Sequence, residues 1–175
     1  MAIDVMIDIE TASTKRNALI LSVAAIKFDP FSEKVFDGIY LKPDLESQLE
    51  EGRVVDDSTI EWWAKQEKNI LQESWDDTDR IPLPDFLQQF NKFVWNSRMY
   101  WAKGPTFDMI ILEDFYASQL RPVPWKYHQV KDVRTIYDLA PELIITNAEA
   151  HNCLADCAVQ IEILQNIFKK LGIKE

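Results

Sequence analysis

Glycine is scarce in this chain, with four in 175 residues. That excludes a phosphate-cradling loop of the kind built from several closely spaced glycines. Cysteine is scarcer: Cys153 and Cys157 are the only two, four apart on a predicted helix. Helical side chains at that spacing rarely reach disulfide geometry. No cysteine–histidine zinc spacing accompanies them, and no serine or cysteine nucleophile motif is present. A reduced, cytoplasmic protein is therefore expected. No apolar run nears the roughly 18 residues that a membrane span needs. The N-terminus lacks the basic, apolar and small-residue regions of a secretory leader. Neither membrane contact nor secretion is expected. Positive charge is also in deficit: 19 Lys and Arg face 29 Asp and Glu, a formal net charge of -10. Bulk electrostatic capture of nucleic acid is excluded, because phosphate binding rests on Lys and Arg. An enzyme that meets nucleic acid in a local groove, with bound cations offsetting its own charge, is not excluded.

What remains is an ordinary soluble composition, 47% hydrophobic and 27% charged, in a length that suits one core and a single domain over residues 1–175. The first apolar run predicts a strand over Ile3–Ile9. Ala18–Phe28 and Lys34–Leu41 predict two more, joined by an Asp29-Pro30 turn as an antiparallel hairpin. Residues 42–55 have little period and much charge and read as a surface excursion. Ser58 and Glu61 have capping-box spacing at the start of a helix. Pro84 opens another, with Phe86, Leu87, Phe90, Phe93 and Val94 on its apolar face. Arg98–Ala102 reads as a strand, Phe107–Leu120 as a helix, Val130–Val133 as a short strand and Arg134–Leu139 as a helical start. The clearest element is Asn152–Lys170, apolar at helical spacing and ended by Gly172. Strands first, then helices alternating with single strands, predict one α/β domain with a mixed sheet.

The chemistry concentrates at element ends. In Val5–Thr11 the strand period puts Ile3, Val5, Ile7 and Ile9 on one face, and Asp8 and Glu10 together on the other. Adjacent like charges beside a core call for a cation, most simply a divalent metal with oxygen ligands; a buried strand followed by an ordinary acidic turn is the plain alternative. Asp108 stands in a first helical turn, where carboxylates also occur for helix-dipole reasons alone. His151 precedes a helix that Asn152 can cap, and from that loop it can reach the same cleft as Asp156. Four carboxylates and one imidazole from a strand end and two helix starts are what two-metal phosphoryl transfer needs. An imidazole titrating near neutrality can take the proton of an attacking water.

These motifs, in this order, resemble the DEDDh group of 3'-5' exonucleases. Asp8-Ile9-Glu10-Thr11 is similar to its first motif and Gly104-Pro105-Thr106-Phe107-Asp108 to its second. His151 to Asp156 is similar to the third, with the spacing that separates the group from relatives using tyrosine. Within the group, the segment Thr59-Ile60-Glu61-Trp62-Trp63-Ala64-Lys65-Gln66 is most similar to a compact subset of phage and bacterial enzymes. The resemblance implies a ribonuclease H-like fold, with a mixed five-stranded sheet in the order 3-2-1-4-5 flanked by helices. It implies that Asp8, Glu10, Asp108 and Asp156 hold two Mg²⁺ or Mn²⁺ ions and that His151 is the general base. The expected activity is hydrolysis of terminal phosphodiesters at the 3' ends of single-stranded DNA, releasing nucleoside 5'-monophosphates. The same chemistry on RNA, and an inactive nucleic-acid-binding module of the same fold, are the alternatives. The resemblance also admits a homodimer, for which no residue pattern marks an interface.

Around this set, Thr11, Arg16, Trp63, Gln66 and Arg134 are the candidate substrate contacts. Thr11 follows the first carboxylates directly. Arg16 and Arg134, with Lys15 and Lys131 near them, can reach phosphate or remain solvated surface charges. A helix cannot easily bury both Trp62 and Trp63 on one stripe, so one indole is available for base stacking while the other packs inward.

Overall fold

The computed structural model describes residues 3–147 and 151–175. Its framework is a mixed sheet built outward from the first strand. β1 (Asp4–Thr11) lies between β2 (Ile20–Phe28), which is antiparallel to it, and β5 (Tyr100–Ala102), which is parallel. β3 (Val35–Pro43) continues the hairpin beyond β2, and β6 (Val130–Asp132) runs parallel to β5. These five strands stand in the expected order. A two-residue strand, β4 (Arg80–Ile81), adds a sixth at the outer edge of β3.

Strand alternation divides the interior between the two faces of the sheet. Val5, Ile7 and Ile9 point to one face, against Phe86, Leu87 and Phe90 of α4 (Leu83–Val94) and Ile111, Leu112 and Phe115 of α5 (Asp108–Ser118). Met6 points to the other, with Ala24 and Phe28, against Cys157, Ile161 and Leu164 of α7 (Cys153–Leu171). Each large apolar side chain among them contributes about 1.5–3 kcal/mol by leaving water. Both cysteines are free thiols buried under α7. Asn152 caps α7 by accepting from the Ala155 amide at 3.1 Å, and Gly172 closes it with φ of 66°.

The segment over residues 42–55 is more ordered than its charge implies. It contains α1 (Leu45–Glu50), and Gln48 is buried there because its amide pairs with both the amide and carbonyl of Ile20, at 2.9 Å each. Arg53 is buried as well, donating to the Ala18 carbonyl at 2.7 Å and pairing with Asp114 at 3.4 Å. The next helix, α2 (Asp57–Trp63), is preceded by Asp56 at the cap position rather than by a Ser58–Glu61 box. The Asp56 carboxylate makes no cap bond, because Ser13 Oγ and Lys15 Nζ both donate to it at 2.6 Å. A further helix, α3 (Lys68–Trp75), follows where the sequence pattern showed none. α6 (Val133–Tyr137) completes the helical layer beside α7.

No described helix is long and apolar enough to cross a membrane.

Candidate active site

Parallel strands deliver their C-terminal ends to one edge of the sheet, where ligands of open α/β sheets gather. Asp8 and Glu10 stand towards the end of β1. Asp108 opens α5 just after β5, Asp132 ends β6 and Arg134 follows it. A bulge between Glu10 and Thr11, where β2 carries one residue more than β1, turns the strand end locally. The N-terminus of α7 covers this edge and brings Asp156 down beside β1.

The geometry is tight. One carboxylate oxygen each from Asp8, Glu10 and Asp156 lie within 4.8 Å of one another. Asp108 adjoins them, its Oδ1 accepting from the Ile9 amide at 3.3 Å. Asp156 is held from both sides: Asn147 Nδ2 donates to Oδ1 and the His151 amide donates to Oδ2, both at 2.9 Å. Gln160, one turn further along α7, donates to Asp8 Oδ1 at 2.9 Å. Its own carbonyl oxygen is buried without a hydrogen-bond partner among the described residues.

Burial pushes the carboxyl groups of Asp8 and Glu10 well above the usual carboxylate range, and repulsion from the neighbouring acids adds to it. For Asp8 the main repelling charge is Asp108, with the Gln160 hydrogen bond and Lys103 opposing. Burial likewise pushes Asp108 up to about 7, against the hydrogen bond from Ile9 and the charge of Arg134.

Asp4 is the internal control. It shares the face of β1 with Asp8 and Glu10 and is fully buried. Yet Arg98 clasps both its oxygens at 2.8 and 2.9 Å, and Trp101 Nε1 donates at 2.8 Å. Among the described residues no Lys or Arg forms an ion pair with Asp8, Glu10, Asp108 or Asp156. A half-buried acidic group of this kind is neutralised either by protonation or by a bound cation. Its all-oxygen donor set fits a hard divalent ion such as Mg²⁺ or Mn²⁺.

Beside Glu10 opens a cavity of about 380 Å³ lined chiefly by Ile9, Thr11, Thr59, Trp62, Trp63 and Phe107. A wider groove of about 620 Å³, bordered by Asp85, Asn91, Gln119 and Arg121, holds none of the clustered carboxylates. The remaining sequence candidates divide. Thr11 is buried, with its hydroxyl turned to the Ser13 carbonyl at 2.7 Å. Trp63 is 1% exposed and donates through Nε1 to the Thr11 carbonyl at 2.9 Å, so it supports the site from within the core. Trp62, 39% exposed, is the indole that faces outward. Gln66 donates back to the Trp62 carbonyl at 3.0 Å. Arg16 turns away to Asp114 on α5, at 3.2 Å.

Arg134 does lie at this edge. Its guanidinium packs over Gly104, whose φ of 98° and lack of a Cβ the approach requires: an added Cβ would stand 2.4 Å from Nη1. Sequence reasoning missed Gln160 and Lys103. Gln160 had a readable signal, since it falls four residues after Asp156 and thus on the same helical face; Lys103 had only its place before Gly104.

Known proteins are similar to this chain in sequence and in fold. The chain is 28% identical over 200 residues to an exodeoxyribonuclease of Enterobacteria phage T4, covering 93% of this chain and 87% of the relative. Among solved structures it is similar to E. coli exonuclease I in complex with a dT13 oligonucleotide, with a TM-score of 0.70 at 16% identity. That match covers 98% of this chain but only 42% of exonuclease I. It is similar also to the nuclease domain of 3'hExo, a DEDDh family member bound to rAMP, with a TM-score of 0.67 at 13% identity, covering 96% and 92% of the two chains. The fold is therefore the ribonuclease H-like α/β fold of the DEDDh exonucleases. Residues 3–168 match the 3'-5' exoribonuclease Rv2179c-like domain, and the chain belongs to that family.

Proposed function

We propose that this protein is a metal-dependent 3'-5' exonuclease that shortens single-stranded nucleic acid from its 3' end and releases nucleoside 5'-monophosphates. The observation that carries this reading is the group of Asp8, Glu10 and Asp156, with Asp108 adjoining, gathered with no Lys or Arg paired to it among the described residues. Asp8, Glu10, Asp108 and Asp156 would hold two divalent ions. When bound, such ions neutralise charge on the attacking and leaving oxygens of an in-line displacement.

The chain's own residues do the rest. Gln160 fixes one oxygen of Asp8, and Asn147 with the His151 amide fixes Asp156. His151 accepts the proton of the attacking water at a ring nitrogen. The cavity beside Glu10 takes the terminal nucleoside, and Arg134 and Lys103 meet the phosphate backbone. The residues over 1–175 act as one exonuclease domain, similar in kind to compact phage and bacterial enzymes.

Single-stranded DNA is the first substrate, supported by the T4 relative, whose name is exodeoxyribonuclease and most of whose length is matched. RNA is the second, supported by the description of the family domain as an exoribonuclease. Matched 5'-labelled DNA and RNA oligomers, incubated with Mg²⁺, with Mn²⁺ or with chelator, decide between them. A ladder shortening from the 3' end of DNA, absent in chelator, is the expected result. Preferential loss of RNA would move the assignment to an exoribonuclease, and binding without cleavage in either metal would leave only a nucleic-acid-binding module.

A further inference from the structure

The two tryptophans that end α2 are placed for different tasks. Trp63 is anchored in the core and tied to the Thr11 carbonyl, one residue after Glu10. Trp62 stands edge-on to Trp63, with ring centroids 5.2 Å apart and planes at 80°. It also stands edge-on to His151, at 4.6 Å and 90°. Thus a short aromatic ladder joins the strand that carries Asp8 and Glu10 to the loop that carries the histidine.

Among the described residues, His151 has few other means of orientation. Its φ of 72° is left-handed, a strained backbone for a residue with a Cβ. Its amide is committed to Asp156 Oδ2. The backbone is thereby fixed, and the direction of the imidazole is left to two side-chain torsions. Among the described residues, Trp62 is the one aromatic ring packed against it.

We propose that Trp62 is a positioning residue for His151, fixing the direction of the imidazole through their edge-to-face contact. This rests on the reading of His151 as the general base. The contact has the geometry that aromatic pairs favour, and it narrows the ring's freedom before substrate arrives. A base displaced by about 1 Å can cost about 100-fold in rate. A stacking platform makes the opposite forecast: an indole that only supports a nucleobase strengthens ground-state binding, and its loss raises KM with kcat unchanged.

The test uses the full chain with Trp62→Ala, Trp62→Phe, His151→Ala and the Trp62→Ala/His151→Ala pair. Single-turnover cleavage of a labelled oligonucleotide is measured at saturating Mg²⁺, together with KM. Proton–carbon NMR of the histidine rings is recorded without metal. Only His128 and His151 contribute, and His128 packs against Tyr127, so it serves as the unmoved reference. Trp62→Ala is expected to move the His151 ring resonances through loss of the indole ring current and leave those of His128 in place. The chemical step at saturating substrate should slow by about 10- to 100-fold, over and above any rise in KM from the cavity that Trp62 also lines. Trp62→Phe should restore most of the rate, and Trp62→Ala should cost nothing further in the His151→Ala background. A raised KM at unchanged kcat, additive losses in the pair, or unmoved His151 resonances would each overturn the proposal. If His151→Ala cleaves at the parental rate, it is the general-base reading that fails, and the catalytic part of this proposal with it. The NMR result tests the ring contact separately, so the two failures are distinguishable.

Discussion

Replacing Asp108 by asparagine should stabilise the metal-free protein at alkaline pH while removing its activity. Asp108 is 5% exposed, and burial pushes its carboxyl up to about 7, against about 3.9 in an unfolded chain. At about 1.36 kcal/mol per pH unit, the folded state disfavours the ionised form by about 4 kcal/mol at most. The sign follows from proton uptake. The folded protein binds more protons than the unfolded chain between these two values, so stability falls as pH rises from about 4 to about 7 and stays low above. Asp8 and Glu10, raised in the same direction, add to the decline. The amide oxygen introduced by Asp108→Asn can keep the acceptor for the Ile9 amide now held by Oδ1 while carrying no charge. In chelator at pH 8, the variant should therefore melt higher than the parent by up to about 8–16 °C, at about 2–4 °C per kcal/mol for a chain of this size. At pH 4 the two should melt alike. Divalent ions should raise the parent's melting temperature at pH 8 and narrow the gap, because they bind the folded state alone. A variant no more stable than the parent at pH 8 in chelator would refute the argument from burial of this carboxyl.

Three further outcomes are expected. Asp8→Asn should leave the fold intact by circular dichroism and lower turnover by about 10³-fold or more, since a metal ligand worth several kcal/mol in the transition state is lost. Gln160→Leu should weaken Mn²⁺ binding about 10- to 100-fold by calorimetry, as loss of a group that orients a ligand does, with activity recovering at high metal. Trp63→Phe should cost about 1–3 kcal/mol in urea unfolding, because the buried Thr11 carbonyl loses its donor.

Much of the fold and of the site was legible because it rests on short-range periods. Alternation in β1 separated Val5, Ile7 and Ile9 from Asp8 and Glu10, and the helical spacing of α7 with its Asn152 cap marked the longest helix nearly to the residue. What escaped depends on partners distant in sequence. Asp4 lies on the same face as Asp8, and only Arg98, 94 residues away, distinguishes a neutralised acid from one that awaits a cation. Gln48 looks like surface until Ile20 supplies its partners across 28 residues. The choice between Trp62 and Trp63 was likewise undecidable from their spacing, because it turns on the single hydrogen bond from Trp63 to Thr11. The cap position of α2 went to Asp56 because Ser13 and Lys15, 43 and 41 residues away, fix that carboxylate in place.

The most direct test is anomalous diffraction from crystals grown with Mn²⁺ and a nucleoside 5'-monophosphate. Two manganese peaks are expected among Asp8, Glu10, Asp108 and Asp156, with the nucleotide's phosphate against them and its base in the cavity beside Trp62. Manganese absent from these carboxylates, or bound only elsewhere on the surface, would contradict a two-metal exonuclease site.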